Sequence, residues 1–258
     1  MLQEKNVVIT GAGSGVGRAA ALLFARQGAH VICADLKAPW AEETAQQISN
    51  EGGIALPVAC DVRKRADVER AVETAIESWG RLDILYNNAG VASSIDGKQY
   101  SLVEQNDEDF DRLVSINLRG MVYGCQVAVK TFLAQGGGGV IVNTASIAGM
   151  VGWGGVMYGA TKGAVVQLTR SLAVEVAKHG IRVNAVCPGA MMTNFGREDG
   201  GGFATPSTDL VSAYSRMHPL GRAIEPGDCA QAALFLASDA AKNITGVLLP
   251  VDGGYIAA

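Results

Sequence analysis

Residues 7–35, VVITGAGSGVGRAAALLFARQGAHVICAD, decide the fold class of this chain. An apolar run leads into a glycine-rich turn, a stretch with helical periodicity, a second apolar run and an acid. Glycines at a strand-to-helix turn permit the sharp bend and the close helix packing of a strand–turn–helix–strand unit. The segment therefore predicts a β-α-β unit with two parallel strands.

The same alternation continues along the chain. Most of the apolar runs lack polar alternation, which is typical of strands buried on both faces of a parallel sheet. The predicted strands are 6–10, 30–35, 54–61, 82–88, 139–146, 181–188 and 246–252. The predicted helices are 15–28, 39–51, 64–79, 107–135, 157–179 and 226–238. The sequence predicts an α/β fold, a Rossmann-like doubly wound parallel sheet of about seven strands with helices on both faces.

Length and composition fit that fold. The 258 residues suit one domain over 1–258, and 48% hydrophobic residues can form a large core. A Gly-rich polar insert at 196–209 predicts a substrate lid over about 193–218.

Charge and residue usage narrow the class of function. A net charge of −4 favours neither nucleic acid nor an anionic membrane as a partner, and no apolar run has the length of a membrane span. The N-terminal sequence lacks a signal-peptide layout, so a cytoplasmic protein is expected. The five scattered cysteines are interpreted as reduced and buried, and the three histidines lack metal-ligand spacing. No metal site is predicted.

The glycine turn is a candidate nucleotide site. Gly11, Gly15 and Gly17 would let the backbone approach a pyrophosphate, and the following helix would direct its free N–H groups at the phosphate. A purely structural turn is the alternative. Asp35 closes the second strand, where its carboxylate can accept from ribose hydroxyls and repel a 2′-phosphate. NAD is therefore favoured over NADP, although the nearby Lys37 leaves NADP open.

A tyrosine and a lysine lie four residues apart in VMYGATKGAV, residues 156–165. Helical spacing would place Tyr158 and Lys162 on one face, one turn apart. On their own they fit a tethered tyrosine and a lysine whose charge reaches solvent. A functional interpretation depends on the rest of the sequence.

Several motifs together resemble the short-chain dehydrogenase/reductase family. They are TGAGSGVG (10–17), NNAG (87–90), Asn117, Ser146, YGATK (158–162) and PGAMMT (188–193). The resemblance runs from the first strand to VDGGY (251–255), although the glycine register differs from G-x-G-x-x-G. It implies hydride transfer between a secondary alcohol or its ketone and a nicotinamide cofactor.

The resemblance also implies roles for residues. Tyr158 would be the general acid/base, with its pKa lowered by Lys162 and an oxidised nicotinamide. Lys162 would also hold the nicotinamide ribose, Ser146 would donate to the substrate oxygen, and Asn117 would bind a relay water. The implied cofactor contacts are Gly11, Ser14, Gly15, Val16, Gly17, Asp35, Asp61, Val62, Asn88, Ala89, Gly90, Tyr158, Lys162, Pro188, Gly189, Met191 and Thr193.

The substrate pocket is expected after the fourth to sixth strands and under the lid. The candidates are Ser93, Ser94, Ser146, Ile147, Ala148, Trp153, Tyr158, Met191, Met192, Phe195 and Tyr214. Many are apolar, which favours an uncharged, hydrophobic or cyclic secondary alcohol. Two other functions stay open: a reductase of 3-oxoacyl thioesters or other carbonyls, for which NADPH is the usual cofactor, and a non-catalytic NAD-binding protein. A homotetramer is expected from the resemblance.

Overall fold

The computed structural model describes residues 1–93, 101–191 and 208–258. Its strands are β1 (Asn6–Thr10), β2 (His30–Asp35), β3 (Ile54–Ala59), β4 (Ile84–Asn87), β5 (Gly139–Thr144), β6 (Ile181–Pro188) and β7 (Leu248–Val251). Its α-helices are α1 (Gly15–Arg26), α2 (Ala38–Asn50), α3 (Arg65–Trp79), α4 (Asp107–Leu113), α5 (Met121–Gln135), α6 (Val156–Val176), α7 (Thr208–Arg216) and α8 (Pro226–Ala237).

The strands form one seven-stranded sheet in the order β3-β2-β1-β4-β5-β6-β7, with all neighbours parallel. The strand order reverses between β1 and β4. Connections leave a crevice at such a point, outside the carboxyl ends of the strands. The predicted Rossmann-like sheet is confirmed, and its crevice lies beside the glycine turn.

Two apolar cores cover the two faces of the sheet. One contains Phe24 of α1 and Leu234 of α8, and the other contains Phe132 of α5 and Val72 of α3. All five cysteines are free and buried, as the sequence predicts. In the described ranges, no helix is both long enough and apolar enough to cross a membrane.

Strand β3 departs from the prediction of burial on both faces. It forms an edge of the sheet, and Ile54 and Leu56 are 50% and 36% exposed. Pro57 lies within it, which an edge strand tolerates because only β2 requires hydrogen bonds from it.

The helix predicted over 107–135 is interrupted. A π-helical segment, Val114–Gly120, separates α4 from α5, and Asn117 lies within it and is fully buried. Such a segment inserts an extra residue in the helical turn and redirects the side chains on it. Helix α7 was also absent from the predicted helices, and it falls inside the range expected for a lid.

Candidate active site

The glycine turn has a backbone that side chains would disrupt. Gly11 and Gly15 have φ angles of +67° and +51°, in the left-handed region that favours glycine. A Cβ on Gly17 would lie 2.0 Å from the Gly11 carbonyl oxygen, so α1 can pack this closely only with glycine there. Among the described contacts, Ser14 makes no side-chain cap to α1, which leaves the first-turn N–H groups directed at the crevice.

The turn is tied to the end of β4. The Thr10 hydroxyl oxygen accepts from the backbone N–H groups of Asn88 and Ala89, at 2.9 and 3.1 Å. The Asn88 side chain in turn donates to the Thr10 carbonyl at 3.0 Å. A Cβ on Gly11 would lie 3.1 Å from the Ala89 Cα atom. The glycine turn and the residues that follow β4, both predicted to bind the cofactor, therefore form one surface.

Asp35 lies at the far side of this turn and is 8% exposed. One carboxylate oxygen accepts from the Gly13 N–H and the other from the Lys37 N–H, both at 2.9 Å. Each oxygen keeps a further lone pair for a ligand hydroxyl. The backbone thus fixes the orientation of the carboxylate beside the glycine turn, as a ribose contact requires.

Asp61 and Val62 follow β3. Arg63 grips the Asp61 carboxylate with its Nε and Nη2 atoms, each at 2.8 Å, and these hydrogen bonds lower the pKa of Asp61. Val62 packs against the π-helical segment, since a Cβ on Gly120 would lie 2.9 Å from its Cγ2 atom. Both predicted residues thus lie just beyond the carboxyl end of β3.

Lys162 is buried on α6 with 1% exposure. Its ammonium donates to the Thr144 carbonyl at 2.9 Å and lies 5.8 Å from the centre of the Tyr158 ring. A Cβ on Gly90 would lie 3.4 Å from its Nζ atom. Burial lowers the pKa of Lys162 to about 8.

Tyr158 is buried near the start of α6. Burial raises its pKa to about 12, and a hydrogen bond with Ser146 opposes that rise. The sequence predicts a lowered pKa where Lys162 and an oxidised nicotinamide both lie near the phenol, and this stays a prediction; Lys162 alone does not lower the pKa below its ordinary value. The cost of burying the Tyr158 phenolate exceeds the stabilisation that the Lys162 ammonium gives it. The Lys162 ammonium points to Thr144, and burial also disfavours the charged form of Lys162.

Ser146 connects three elements of the site. Its oxygen accepts from the Ala148 N–H at 3.1 Å and lies 3.4 Å from the carbonyl oxygen of Pro188, the last residue of β6. It also hydrogen-bonds Tyr158 at the start of α6. A serine hydroxyl has one proton and can rotate, so Ser146 can direct it to one acceptor at a time.

The Asn117 side chain is hydrogen-bonded to the main chain of Val91, in the loop after β4. Its Oδ1 atom accepts from the Val91 N–H and its Nδ2 atom donates to the Val91 carbonyl, both at 2.8 Å. Nδ2 also lies 3.4 Å from the Thr161 hydroxyl. The carboxamide therefore holds the segment after Gly90 against α6, beside Lys162.

The remaining predicted pocket and cofactor residues lie in several different places. Ala148 and Trp153 pack with Tyr158 and Leu113 in one apolar cluster, next to the acid/base candidate. Tyr214 lies on α7, Ile147 is fully buried, and Met191 pairs with Ile224 in a short β-bridge. Gly189 packs against Asp252, and Ser93 lies 3.4 Å from the Gly154 carbonyl. Ser94, Met192, Thr193 and Phe195 lie outside the described residues.

Sequence reasoning missed three participants. The Thr144 carbonyl accepts a hydrogen bond from the Lys162 ammonium. Every residue has a backbone carbonyl, so the residue type does not indicate which one will act as the acceptor. The Thr10 hydroxyl holds Asn88 and Ala89, and its position directly before the glycine turn was an available signal. Trp40 lies under the Lys37 ammonium, three residues along the chain, a spacing that brings side chains together at a helix start.

Comparisons with known proteins place this arrangement in a family. A family model described as enoyl-(acyl carrier protein) reductase matches residues 11–256. The chain belongs to the short-chain dehydrogenase/reductase family of oxidoreductases, as its motifs suggest. It is 38% identical to 3beta-hydroxysteroid dehydrogenase 2 of Eggerthella lenta, with 100% of this chain and 96% of that protein covered.

Two solved structures have the same fold. A short-chain type dehydrogenase/reductase from Mycobacterium marinum matches with a TM-score of 0.88 and 33% identity, over 100% of this chain and 97% of that one. A 3-ketoacyl-(acyl-carrier-protein) reductase from Brucella melitensis, complexed with NADH, matches with a TM-score of 0.84 and 39% identity, over 99% of both chains.

Proposed function

We propose that this protein is an NAD-dependent oxidoreductase that interconverts a secondary alcohol and its ketone, with Tyr158 as the general acid/base. One observation carries the proposal: the Tyr158 phenol is hydrogen-bonded to Ser146 and neighbours the buried ammonium of Lys162, at the crevice lined by the glycine turn. A buried phenol and a buried amine both hold perturbed pKa values, which is common at catalytic sites.

The glycine turn fits a dinucleotide. Gly17 lets α1 pack against the Gly11 carbonyl, and Gly13 lets the turn approach Asp35, so both glycines permit the backbone shape that a pyrophosphate would need. The N-terminus of α1 would face the pyrophosphate and Asp35 would accept from the ribose hydroxyls of NAD. A bound NAD⁺ would supply the hydride acceptor for the alcohol carbon and one positive charge at the nicotinamide ring. We propose that the other residues given above as implied cofactor contacts also bind NAD.

Tyr158 would move the proton. During oxidation its phenolate oxygen accepts the proton of the substrate hydroxyl, and during reduction the phenol returns it. Because burial raises the pKa of Tyr158 to about 12, the protein alone favours the phenol. Added positive charge near the ring would shift it toward the phenolate.

Lys162 would supply part of that charge and Ser146 would hold the substrate oxygen. With a pKa of about 8, Lys162 is mainly an ammonium at neutral pH. The Ser146 hydroxyl can turn from Tyr158 to the substrate oxygen and donate to it as charge develops there. Since the Asn117 carboxamide is engaged with Val91, we assign any water contact to the Asn117 main chain within the π-helical segment.

The substrate is proposed to be a hydrophobic or cyclic secondary alcohol. Ala148, Trp153 and Leu113 form an apolar wall beside Tyr158, which suits an uncharged ring. The likeness to a hydroxysteroid dehydrogenase supports the same substrate class. We further propose a single domain over 1–258 and a homotetrameric assembly; most of the range expected for a lid, about 193–218, lies outside the described residues.

The test is a substrate panel followed through the absorbance of the reduced nicotinamide. Cyclic, aromatic, steroid, polyol and hydroxyacyl alcohols are each offered with NAD⁺ and with NADP⁺. We expect turnover with cyclic or steroid alcohols and NAD⁺. Calorimetric NAD⁺ binding without turnover on any member would instead favour a non-catalytic nucleotide-binding protein.

A second candidate function is a 3-oxoacyl thioester reductase. The likeness to a 3-ketoacyl-(acyl-carrier-protein) reductase favours it. Faster turnover of a 3-oxoacyl thioester with NADPH than of any alcohol with NAD⁺ would establish this candidate and exclude the first.

A further inference from the structure

One wall of the proposed pocket lies on a glycine-rich loop. Residues 149–155, GMVGWGG, lead into helix α6, and Gly154 and Gly155 have φ angles of +79° and +93°. A loop with this many glycines has many accessible conformations, so ordering it costs conformational entropy. Trp153 lies on this loop and packs against the apolar cluster that contains Tyr158. Contacts from outside the loop are therefore needed to fix the orientation of the indole.

One such contact comes from the C-terminal end of the chain. The Tyr255 ring meets Trp153 edge-on, with 6.3 Å between the ring centroids and an interplanar angle of 62°. Aromatic pairs at this separation stabilise a structure beyond the area that they bury. The loop also has a contact of 3.4 Å between the Ser93 hydroxyl and the Gly154 carbonyl, which is long for a hydrogen bond. Tyr255 therefore supplies the indole with a directional contact from outside the loop.

Hydrogen bonds hold the turn that carries Tyr255. This residue begins a short 3-10 turn, Tyr255–Ala257, directly after the end of β7 and two glycines. The buried carboxylate of Asp252 accepts from the backbone N–H groups of Gly254 and Ile256, at 3.0 and 2.9 Å. Because each oxygen of one buried acid holds a different N–H of the turn, the backbone under the Tyr255 ring has a fixed position.

A second ring fixes Tyr255 from another part of the chain. His218, which follows α7, lies edge-on to Tyr255 with 6.5 Å between the ring centroids. It is 2% exposed, and its Nε2 atom lies 3.0 Å from the Ala190 carbonyl oxygen. The Gly253 carbonyl also accepts from the Leu220 N–H at 3.0 Å. Tyr255 is therefore held through its backbone and through His218, and its ring gives the indole a rigid support.

We propose that Tyr255 is a positioning residue that holds the Trp153 indole beside Tyr158 and so fixes the shape of the pocket for cyclic alcohols. The inference rests on the proposed function, because it needs the substrate to pack against Trp153. It assigns part of the substrate selectivity to the C-terminal turn. A cyclic alcohol buries more carbon atoms against the indole than a short acyclic alcohol does, so its binding depends more on the orientation of the indole.

Steady-state kinetics with NAD⁺ test the proposal, with cyclohexanol as the cyclic probe and 2-butanol as the acyclic probe. Tyr255→Leu keeps apolar bulk but removes the ring, and we expect its KM for cyclohexanol to rise about three- to tenfold. Its KM for 2-butanol, its kcat values and its NADH dissociation constant should stay within about twofold of those of the parent. Tyr255→Met repeats the test with a different apolar side chain, and Tyr255→Phe, which keeps the ring, should retain the parent KM.

Two kinetic results would overturn the proposal. One is an equal rise of KM for both alcohols, since the pocket would then not distinguish the ring substrate. The other is a Tyr255→Phe variant as impaired as Tyr255→Leu, since the hydroxyl and not the ring would then be responsible.

The double variant Tyr255→Leu with Trp153→Leu tests whether Tyr255 acts through the indole. We expect Trp153→Leu alone to raise the KM for cyclohexanol. Adding Tyr255→Leu should change that KM by less than about twofold, because the group that Tyr255 positions is already absent. Fully additive effects of the two substitutions would mean that Tyr255 acts by another route, and the proposal would be wrong.

A fluorescence measurement separates this inference from the proposed function, because it needs no substrate. The chain has three tryptophans, so Trp40→Phe with Trp79→Phe leaves Trp153 as the one tryptophan. In that background, Tyr255→Leu should increase the quenching of Trp153 fluorescence by acrylamide, because the released indole samples more exposed positions, and Tyr255→Phe should not. Unchanged quenching in Tyr255→Leu would overturn the inference. Absence of turnover by the parent on every alcohol would refute the proposed function, and quenching would still decide whether Tyr255 holds the indole.

Discussion

At the glycine-turn end of the crevice, Asp35 and Asp61 are held by donors that suit a carboxylate. Two backbone N–H groups orient Asp35, and Arg63 lowers the pKa of Asp61. At the α6 end, burial raises the pKa of Tyr158 and lowers that of Lys162, so it disfavours the charged form of both. Hydrogen bonds fix the carboxylates of the first region, whereas burial in the second region disfavours the charged forms of two groups that we propose to act in the reaction.

Tyr158→Phe tests the α6 end of the crevice, and we expect it to have the largest effect of the variants, a loss of catalytic rate. Removal of the hydroxyl leaves no group to carry the proton, so kcat should fall about 10³- to 10⁴-fold. The dissociation constant for NADH should stay within about twofold, because the ring remains. Steady-state rates and a calorimetric titration measure the two quantities.

Tyr123→Phe is the matched control for that experiment. The Tyr123 ring lies on α5 under Arg65, 4.5 Å from its guanidinium, outside the proposed proton path. Its rate should match the parent rate. Substantial activity in Tyr158→Phe would remove the acid/base assignment.

Gly17→Ala tests the recognition side. The new Cβ would lie 2.0 Å from the Gly11 carbonyl oxygen, so α1 must move away from the turn. We expect NAD⁺ affinity to fall about 100-fold, since a small displacement of the turn removes several phosphate contacts. Gly227→Ala on α8 is the control, because its Cβ would meet no atom within 4 Å. Equal affinities in the two variants would contradict the role of the turn.

Asp35→Ser removes the charge at the same end, together with the carboxylate acceptor of the Gly13 N–H, and leaves the glycines of the turn in place. We expect NAD⁺ to bind about tenfold more weakly, because a charge-assisted hydrogen bond to the ribose is lost, and NADP⁺ to gain relative to it. Titrations with both nucleotides measure the ratio, and Asp111→Ser, an exposed acid on α4, is the control. An unaltered ratio would mean that another group reads the ribose.

The two regions also differ in how far the sequence predicts them. The glycine turn, β1 and β2 match the predicted residues, because glycine φ requirements and apolar runs are local properties. At the other end, helical spacing predicts that Tyr158 and Lys162 are neighbours. It does not predict that Lys162 points to the Thr144 carbonyl, since that partner comes from a strand distant in sequence.

The π-helical segment was unpredictable for a related reason. VSINLRG contains no proline, and its apolar positions suit an unbroken helix. Tertiary contacts that are non-local favour the extra residue: Asn117 pairs with the Val91 backbone, and Gly120 packs against Val62. A pattern in the sequence predicts a contact between distant residues only when a known motif identifies both of them.

Lys162→Met measures the burial of charge directly, through stability and not through binding or rate. The folded pKa of Lys162 is about 8 and its ordinary value is 10.5, so between these values the unfolded chain binds more protons. The parent protein should therefore gain stability relative to Lys162→Met as the pH rises from about 8 to 10.5, by up to about 3 kcal/mol. The difference between the two proteins cancels the opposite trend of Cys33, Cys60, Cys125 and Cys229, whose raised pKa values are common to both. Cys187 cancels only in part, because the charge of Lys162 lowers its pKa in the parent protein. Urea unfolding at several pH values measures it. A pH-independent difference would mean that Lys162 titrates as an exposed lysine, and the contrast between the two ends of the crevice would then lose its electrostatic basis.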